Sequence, residues 1–157
     1  GTTAIQANDL VGRKTARDGG TGARSIAAQI AKTEAELAAS SNADAQALAK
    51  RLKAAREAFV DVVDFIAANG KSNPNAAYAG SVPYLMLTGN LVAGWQMGRA
   101  LLVALTPEAQ AQDAAFMAAK VTTARFYGDH ILSKVPGMRD SIVAGSDSVT
   151  ALPLDAF

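Results

Sequence analysis

Cysteine is absent from all 157 residues, so a disulfide framework, a thiolate metal site and a cysteine nucleophile are excluded, and the chain suits a reducing compartment. Histidine occurs once, at His130, and one imidazole cannot build a His-rich metal centre. Glu-x-x-His pairs are missing too, which removes the helical di-iron carboxylate sites. Neither sign of charge prevails: Lys and Arg number 15 and Asp and Glu 14, leaving +1 and no electrostatic reason to bind nucleic acid. Strand-period alternation of useful length, phosphate loops, zinc signatures and nucleophile elbows are all absent. The opening residues lack the basic and apolar regions of a retained secretory signal.

Half the residues are apolar and 18% are charged, enough for one globular domain with a sizeable core. Alanine is abundant, and it is the best helix former because it loses no side-chain rotamer freedom. An all-helical chain follows. The longest uncharged stretch, Ser72 to Gly98, has the length of a membrane span. Asn73, Asn75, Ser81, Asn90 and Gln96 within it are costly in hydrocarbon, so a helix buried inside a bundle is the better reading and no transmembrane span is expected.

Punctuation divides the chain into helices. Thr2 or Thr3 is placed to cap a first helix running to about Arg17, with Gly19-Gly20 as its left-handed stop. A second, about Gly22 to Ala39, puts Ile26, Ile30 and Leu37 on one side and breaks at Ser40-Ser41-Asn42. The third, about Ala43 to Ala68, carries Leu48, Leu52, Ala55, Phe59, Val62 and Ile66 at alternating four- and three-residue steps and ends at Gly70. Asn73-Pro74 opens a fourth, expected to reach Leu105, in which Pro83 should kink the helix or split it. Beyond Pro83, Gly89, Ala93, Gly94 and Gly98 leave room for a neighbouring backbone. Thr106-Pro107 opens a fifth helix, expected to run to Val135 and to stop at Pro136-Gly137, before short helices and a tail through Leu152-Pro153-Leu154 that packs on the bundle or on a partner. The fold class is therefore all-α: an antiparallel helical bundle with a long, Pro-kinked central helix and short C-terminal helices.

Chemistry is sparse. His130 reads as a helix C-terminal residue placed favourably against the dipole, and no metal site is expected. Asp61 and Asp64, one turn apart, fall on the charged side of the third helix and read as solvated surface. Gly94-x-x-x-Gly98 has the spacing of membrane dimers, but close packing inside the fold is the preferred reading. The first turn, Gly1-Thr2-Thr3, is the one segment with a mechanistic reading. Amides at a helix N-terminus lack partners within the helix and can donate to carbonyl or phosphate oxygens, although simple capping explains the same residues.

The opening Gly1-Thr2-Thr3-Ala4-Ile5-Gln6, followed by Asp9-Leu10-Val11-Gly12-Arg13-Lys14, resembles the end of the catalytic region of the flavin-dependent acyl-CoA dehydrogenases. Val82-Pro83-Tyr84-Leu85, Gly94-Trp95, Thr123-Ala124-Arg125-Phe126-Tyr127, Asp129-His130 and Asp140-Ser141-Ile142-Val143, with Leu152 and Phe157, resemble a helical domain appended in one bacterial branch of that family, which includes enzymes acting on methylthio-propanoyl-CoA. The resemblance implies that residues 1–18 are the last helix of the catalytic bundle and 21–157 the appended domain. It also implies an enzyme that removes the α and β hydrogens of an acyl-CoA, with FAD as cofactor, an electron-transfer flavoprotein as oxidant, a homodimeric or homotetrameric state and a bacterial cytoplasmic setting. The family's base, a Glu, stands just before the position of Gly1, so the chain is expected to be a C-terminal part that lacks it, needs the N-terminal part of the same enzyme and is inactive alone. Carried over by position, Gly1 lies at the substrate, and Thr2, Thr3 and Ala4 lie near FAD. Ala4 departs from the family's usual residue and offers backbone contacts only. A helical scaffold or interaction module without catalytic activity is the alternative, and a nucleic-acid-binding module is disfavoured by the charge of +1.

Overall fold

A computed structural model describes residues 1–149 and 151–156. Phe157, quoted above for the resemblance, lies outside the described residues. Helices form the whole architecture among those residues: α1 Thr3–Asp9, α2 Thr21–Ala39, α3 Ala43–Asn69, α4 Pro74–Ala79, α5 Ser81–Ala104, α6 Pro107–Gln112, α7 Ala114–His130, α8 Val135–Val143 and α9 Ser146–Val149. None of them is long and apolar enough to cross a membrane.

The centre is α3, which packs against α2, α5, α7 and α8. Its face at Leu48, Leu52, Ala55, Phe59, Val62 and Ile66 is buried throughout, as the spacing requires. Asn42 caps it, its side-chain oxygen accepting from the Asp44 and Ala45 amides at 2.9 and 3.0 Å. The short link Ser40–Asn42 folds α2 back on α3, and the largely buried pair Arg56–Glu34, at 2.8 Å, joins the two. Ile30 and Leu37 of α2 enter the core, whereas Ile26 is exposed; buried Ala23 and Ala27 show that the inner stripe runs beside it.

Several boundaries differ from expectation for local reasons. The stretch after Asn73-Pro74 is split, one of the two outcomes expected, but at Gly80 rather than at Pro83: α4 ends before Gly80 and α5 begins at Ser81. Pro83 then falls in the first turn of α5, where an amide has no intrahelical acceptor to lose, so the helix beyond it needs no kink. The fifth expected helix is likewise divided, because the Asp113 carboxylate accepts from the Phe116 amide at 2.9 Å and starts α7 afresh. That helix ends at His130, and a 3-10 turn over Leu132–Lys134 leads into α8. Pro136 consequently sits in the opening turn of α8 rather than stopping the helix before it.

Close approach occurs at two of the α5 glycines. A Cβ built on Gly94 would lie 2.6 Å from a Leu132 methyl, and one on Gly98 2.9 Å from a Leu37 methyl. Gly89 has open space around it, so its lack of a side chain admits no neighbour.

Candidate functional site

The first turn, Gly1 to Ala4, sits on a helical rod that continues without a break from α1 through a π-helical stretch, Leu10–Ala16. In that stretch the chain makes i→i+5 bonds, Arg17 N–H to the Gly12 carbonyl at 3.1 Å and, just past it, Gly20 N–H to the Thr15 carbonyl at 2.8 Å. The wider turn brings residues four apart nearer one line. Ala7, Val11 and Thr15 are all buried, while Asp9 and Arg13 pair on the outside. At Gly12 a Cβ would lie 2.5 Å from the Tyr78 hydroxyl, so the missing side chain leaves room for the tip of that ring.

The far end of the rod is anchored by Thr15. Its hydroxyl meets the Tyr84 hydroxyl at 3.0 Å in the core, and the Tyr84 ring stacks on Phe59 with centroids 6.1 Å apart. Burial raises the Tyr84 phenol above its ordinary pKa, against the opposing effect of the Thr15 hydrogen bond. The rod is then closed by Gly19 and Gly20, with φ of 63° and 83°, where the Asp18 carboxylate accepts from the Gly20 and Gly22 amides at 2.9 Å each. Those bonds, that of Gly22 first, lower the Asp18 pKa. Arg24 spans the closure, donating to the Gly19 carbonyl at 2.7 Å and to Asp64 at 2.5 Å.

Gly1, Thr2, Thr3 and Ala4 lie together on the exposed tip of this rod. Neither threonine caps it in the expected way: Thr2 holds the N-cap position in helical conformation, φ −77° and ψ −12°, and its side chain makes no capping bond. A helical N-cap points its hydroxyl away from the first-turn amides, which explains the difference. The Thr2 carbonyl accepts from Gln6 N–H at 3.0 Å, so the amides of Thr3, Ala4 and Ile5 have no partner inside the helix. Open space surrounds the Cα of Gly1. Three donors without a partner in the helix, on an exposed turn, can donate to carbonyl or phosphate oxygens.

The other residues singled out by sequence carry structural roles. His130 ends α7, exposed, its ring 4.4 Å from that of Phe126. No group of three potential metal ligands occurs among the described residues. Asp61 and Asp64 lie on the surface, each held by an arginine from another helix, Arg139 at 3.1 Å and Arg24 at 2.5 Å. Thr15, Tyr84 and the π stretch carry no sequence signal of function on their own. The line Ala7-Val11-Thr15, at four-residue steps, marks the buried side of the rod.

A family model described as acetyl-CoA dehydrogenase C-terminal like matches residues 26–153. The chain belongs to that family. It is 47% identical over 154 residues to 3-methylmercaptopropionyl-CoA dehydrogenase of Ruegeria pomeroyi, a match covering 98% of this chain and 26% of that protein. It is 30% identical over 172 residues to the broad-specificity linear acyl-CoA dehydrogenase FadE5 of Mycobacterium tuberculosis, covering 100% of this chain and 27% of that protein. The chain thus spans about a quarter of the length of these relatives and is the C-terminal portion of an acyl-CoA dehydrogenase.

Proposed function

We propose that this chain forms the C-terminal portion of a flavin-dependent enzyme that removes the α and β hydrogens of an acyl-CoA thioester. The observation that carries the reading is 47% identity across 98% of the chain to a 3-methylmercaptopropionyl-CoA dehydrogenase. Residues 1–18 serve as the last helix of the catalytic bundle and residues 21–157 as the appended helical domain. The α proton goes to a carboxylate outside these 157 residues, so the segment alone has no dehydrogenase activity. FAD, when bound, supplies the acceptor for the β hydride.

The residues here bind and orient. Gly1 leaves space beside the thioester, and the free amides of Thr3 and Ala4, with the uncommitted Thr2 hydroxyl, donate toward the flavin. Thr15 and Gly20 hold the base of the rod, so those donors keep a fixed direction. The intact enzyme is a homodimer or homotetramer in the bacterial cytoplasm, with an electron-transfer flavoprotein as the oxidant. The test is Thr2→Val in the full-length enzyme. Flavin retained through purification, read by its absorbance, should fall several-fold while the thermal midpoint of the flavin-stripped protein stays put, and unchanged flavin content would refute the assignment of this turn.

A further inference from the structure

Among residues 1–20 the one buried polar side chain is Thr15, which closes the line Ala7, Val11, Thr15 on the inner side of the rod. Val11 stands one four-residue step before it and has nearly the same shape, with a methyl where Thr15 carries its hydroxyl. Apolar contact alone separates poorly the native register from one in which Val11 takes the place of Thr15. The hydroxyl is the difference between the two, and it cannot be exchanged for a methyl where a buried partner needs it.

That partner belongs to α5. Tyr84 is 1% exposed, its ring stacks on Phe59 of α3 with planes 19° apart, and its hydroxyl meets that of Thr15 at 3.0 Å. A rod shifted by one turn, or rolled so that Thr15 leaves the seam, would strand the Tyr84 hydroxyl in the core. One buried polar pair in an apolar seam fixes register in this way, as a single buried Asn does in a coiled coil. Both side chains are closed off by residues of this chain, so the pair does not depend on what covers the outer side of the rod.

We propose that Tyr84 is a positioning residue for the first turn, Gly1 to Ala4. By fixing the register and roll of the rod through the Thr15 hydroxyl, it lets α3 and α5 set where the first-turn amides and the Thr2 hydroxyl meet flavin and thioester. A slip of four residues would move that turn about 6 Å along the rod axis, and a misplacement of about 1 Å already matters for groups oriented around a reacting centre. The helical domain after residue 20 thereby acts on the flavin site without touching flavin. The inference rests on the flavin role proposed for this turn.

Titration of the flavin-stripped, full-length enzyme with FAD tests it, comparing wild type, Thr15→Ser, and Thr15→Val combined with Tyr84→Phe. The double variant keeps the shapes and leaves no hydroxyl unpaired, so the thermal midpoint of its flavin-stripped form should stay near that of wild type. Its dissociation constant for FAD should nevertheless rise about fivefold, the weight of one lost hydrogen bond, and the visible band of the bound flavin should shift. Thr15→Ser keeps the hydroxyl and should bind FAD as wild type does. Unchanged FAD affinity and spectrum in the double variant would overturn the proposal. So would an equal loss in Thr15→Ser, or a loss that comes only with a collapse of the thermal midpoint. Thr2→Val separates this inference from the one beneath it: flavin lost in Thr2→Val but not in the double variant removes the role of Tyr84 alone, and flavin unchanged in Thr2→Val removes the turn and the role of Tyr84 with it.

Discussion

The hydroxyls of Thr15 and Tyr84 meet at 3.0 Å in the core and tie the N-terminal rod to α5 across 69 positions of sequence. Each is the other's partner in a site closed to water, Thr15 at 0% and Tyr84 at 1% exposure. Removing one hydroxyl strands the other, and an unsatisfied buried polar group costs about 1–3 kcal/mol. Tyr84→Phe should destabilise the chain by about that amount. Adding Thr15→Val to Tyr84→Phe should recover much of the loss, because no polar group is then left unpaired. A chemical denaturation cycle over the four proteins measures the coupling, and strictly additive losses would mean that the two hydroxyls act independently.

Phe59 lies at 3% exposure beneath the Tyr84 ring, on the inner face of α3. Phe59→Ala should cost about 3–5 kcal/mol, the usual range for a buried aromatic truncation. Urea unfolding would read it. A loss well under 1 kcal/mol, far below that range, would mean that the ring is not part of the load on α3.

Much of this architecture is legible from local chemistry. The four- and three-residue steps of α3, the caps at Asn73 and Thr106 and the double-glycine stop at Gly19-Gly20 all act within a turn or two, and all appear where their spacing puts them. What sequence conceals is competition between nearby signals. Asp113 reads as an ordinary polar residue in a helical run until its carboxylate is seen capping α7, and Pro136 reads as a stop although the opening turn of α8 accommodates it. Thr15, near the end of the π stretch, meets Tyr84, a contact no window of sequence contains. At the candidate site, the resemblance supplied Gly1 to Ala4, but that the first-turn amides of Thr3, Ala4 and Ile5 receive no cap from Thr2 followed only once Thr2 proved helical.

Two glycines of α5 should respond to the same substitution with opposite signs. Gly89 is exposed with nothing within 4 Å of a prospective Cβ, so Gly89→Ala removes backbone freedom from the unfolded chain and should stabilise by about 0.5–1 kcal/mol. Gly94 faces Leu132 at 2.6 Å, and Leu132 is itself fully packed, so Gly94→Ala should destabilise by about 1–3 kcal/mol through overpacking. Thermal midpoints of the two variants compare them directly. Equal shifts would contradict the packing of α5 against Leu132.

Acid should weaken the closure of the rod through Asp18. Its carboxylate accepts from the Gly22 and Gly20 amides at the start of α2, where the helix dipole also favours a negative charge, and the folded-state pKa lies below the ordinary value of 3.8. A depressed carboxylate pKa means that the unfolded chain binds the proton more readily, so the stabilisation is full above 3.8 and disappears as pH falls through the lower folded value. Asp9 and Asp129, each lowered first by its hydrogen bond to an arginine, Arg13 and Arg125 respectively, add to the same acid-side loss. Asp18→Asn isolates one contribution: the amide oxygen still accepts a hydrogen bond but carries no charge and does not titrate in this range. The wild-type chain should melt higher than Asp18→Asn at pH 6, and the gap should narrow steadily as the pH is lowered past 3.8. A gap of constant size from neutral to acid would show that the charge on Asp18 contributes nothing to holding Gly20 and Gly22.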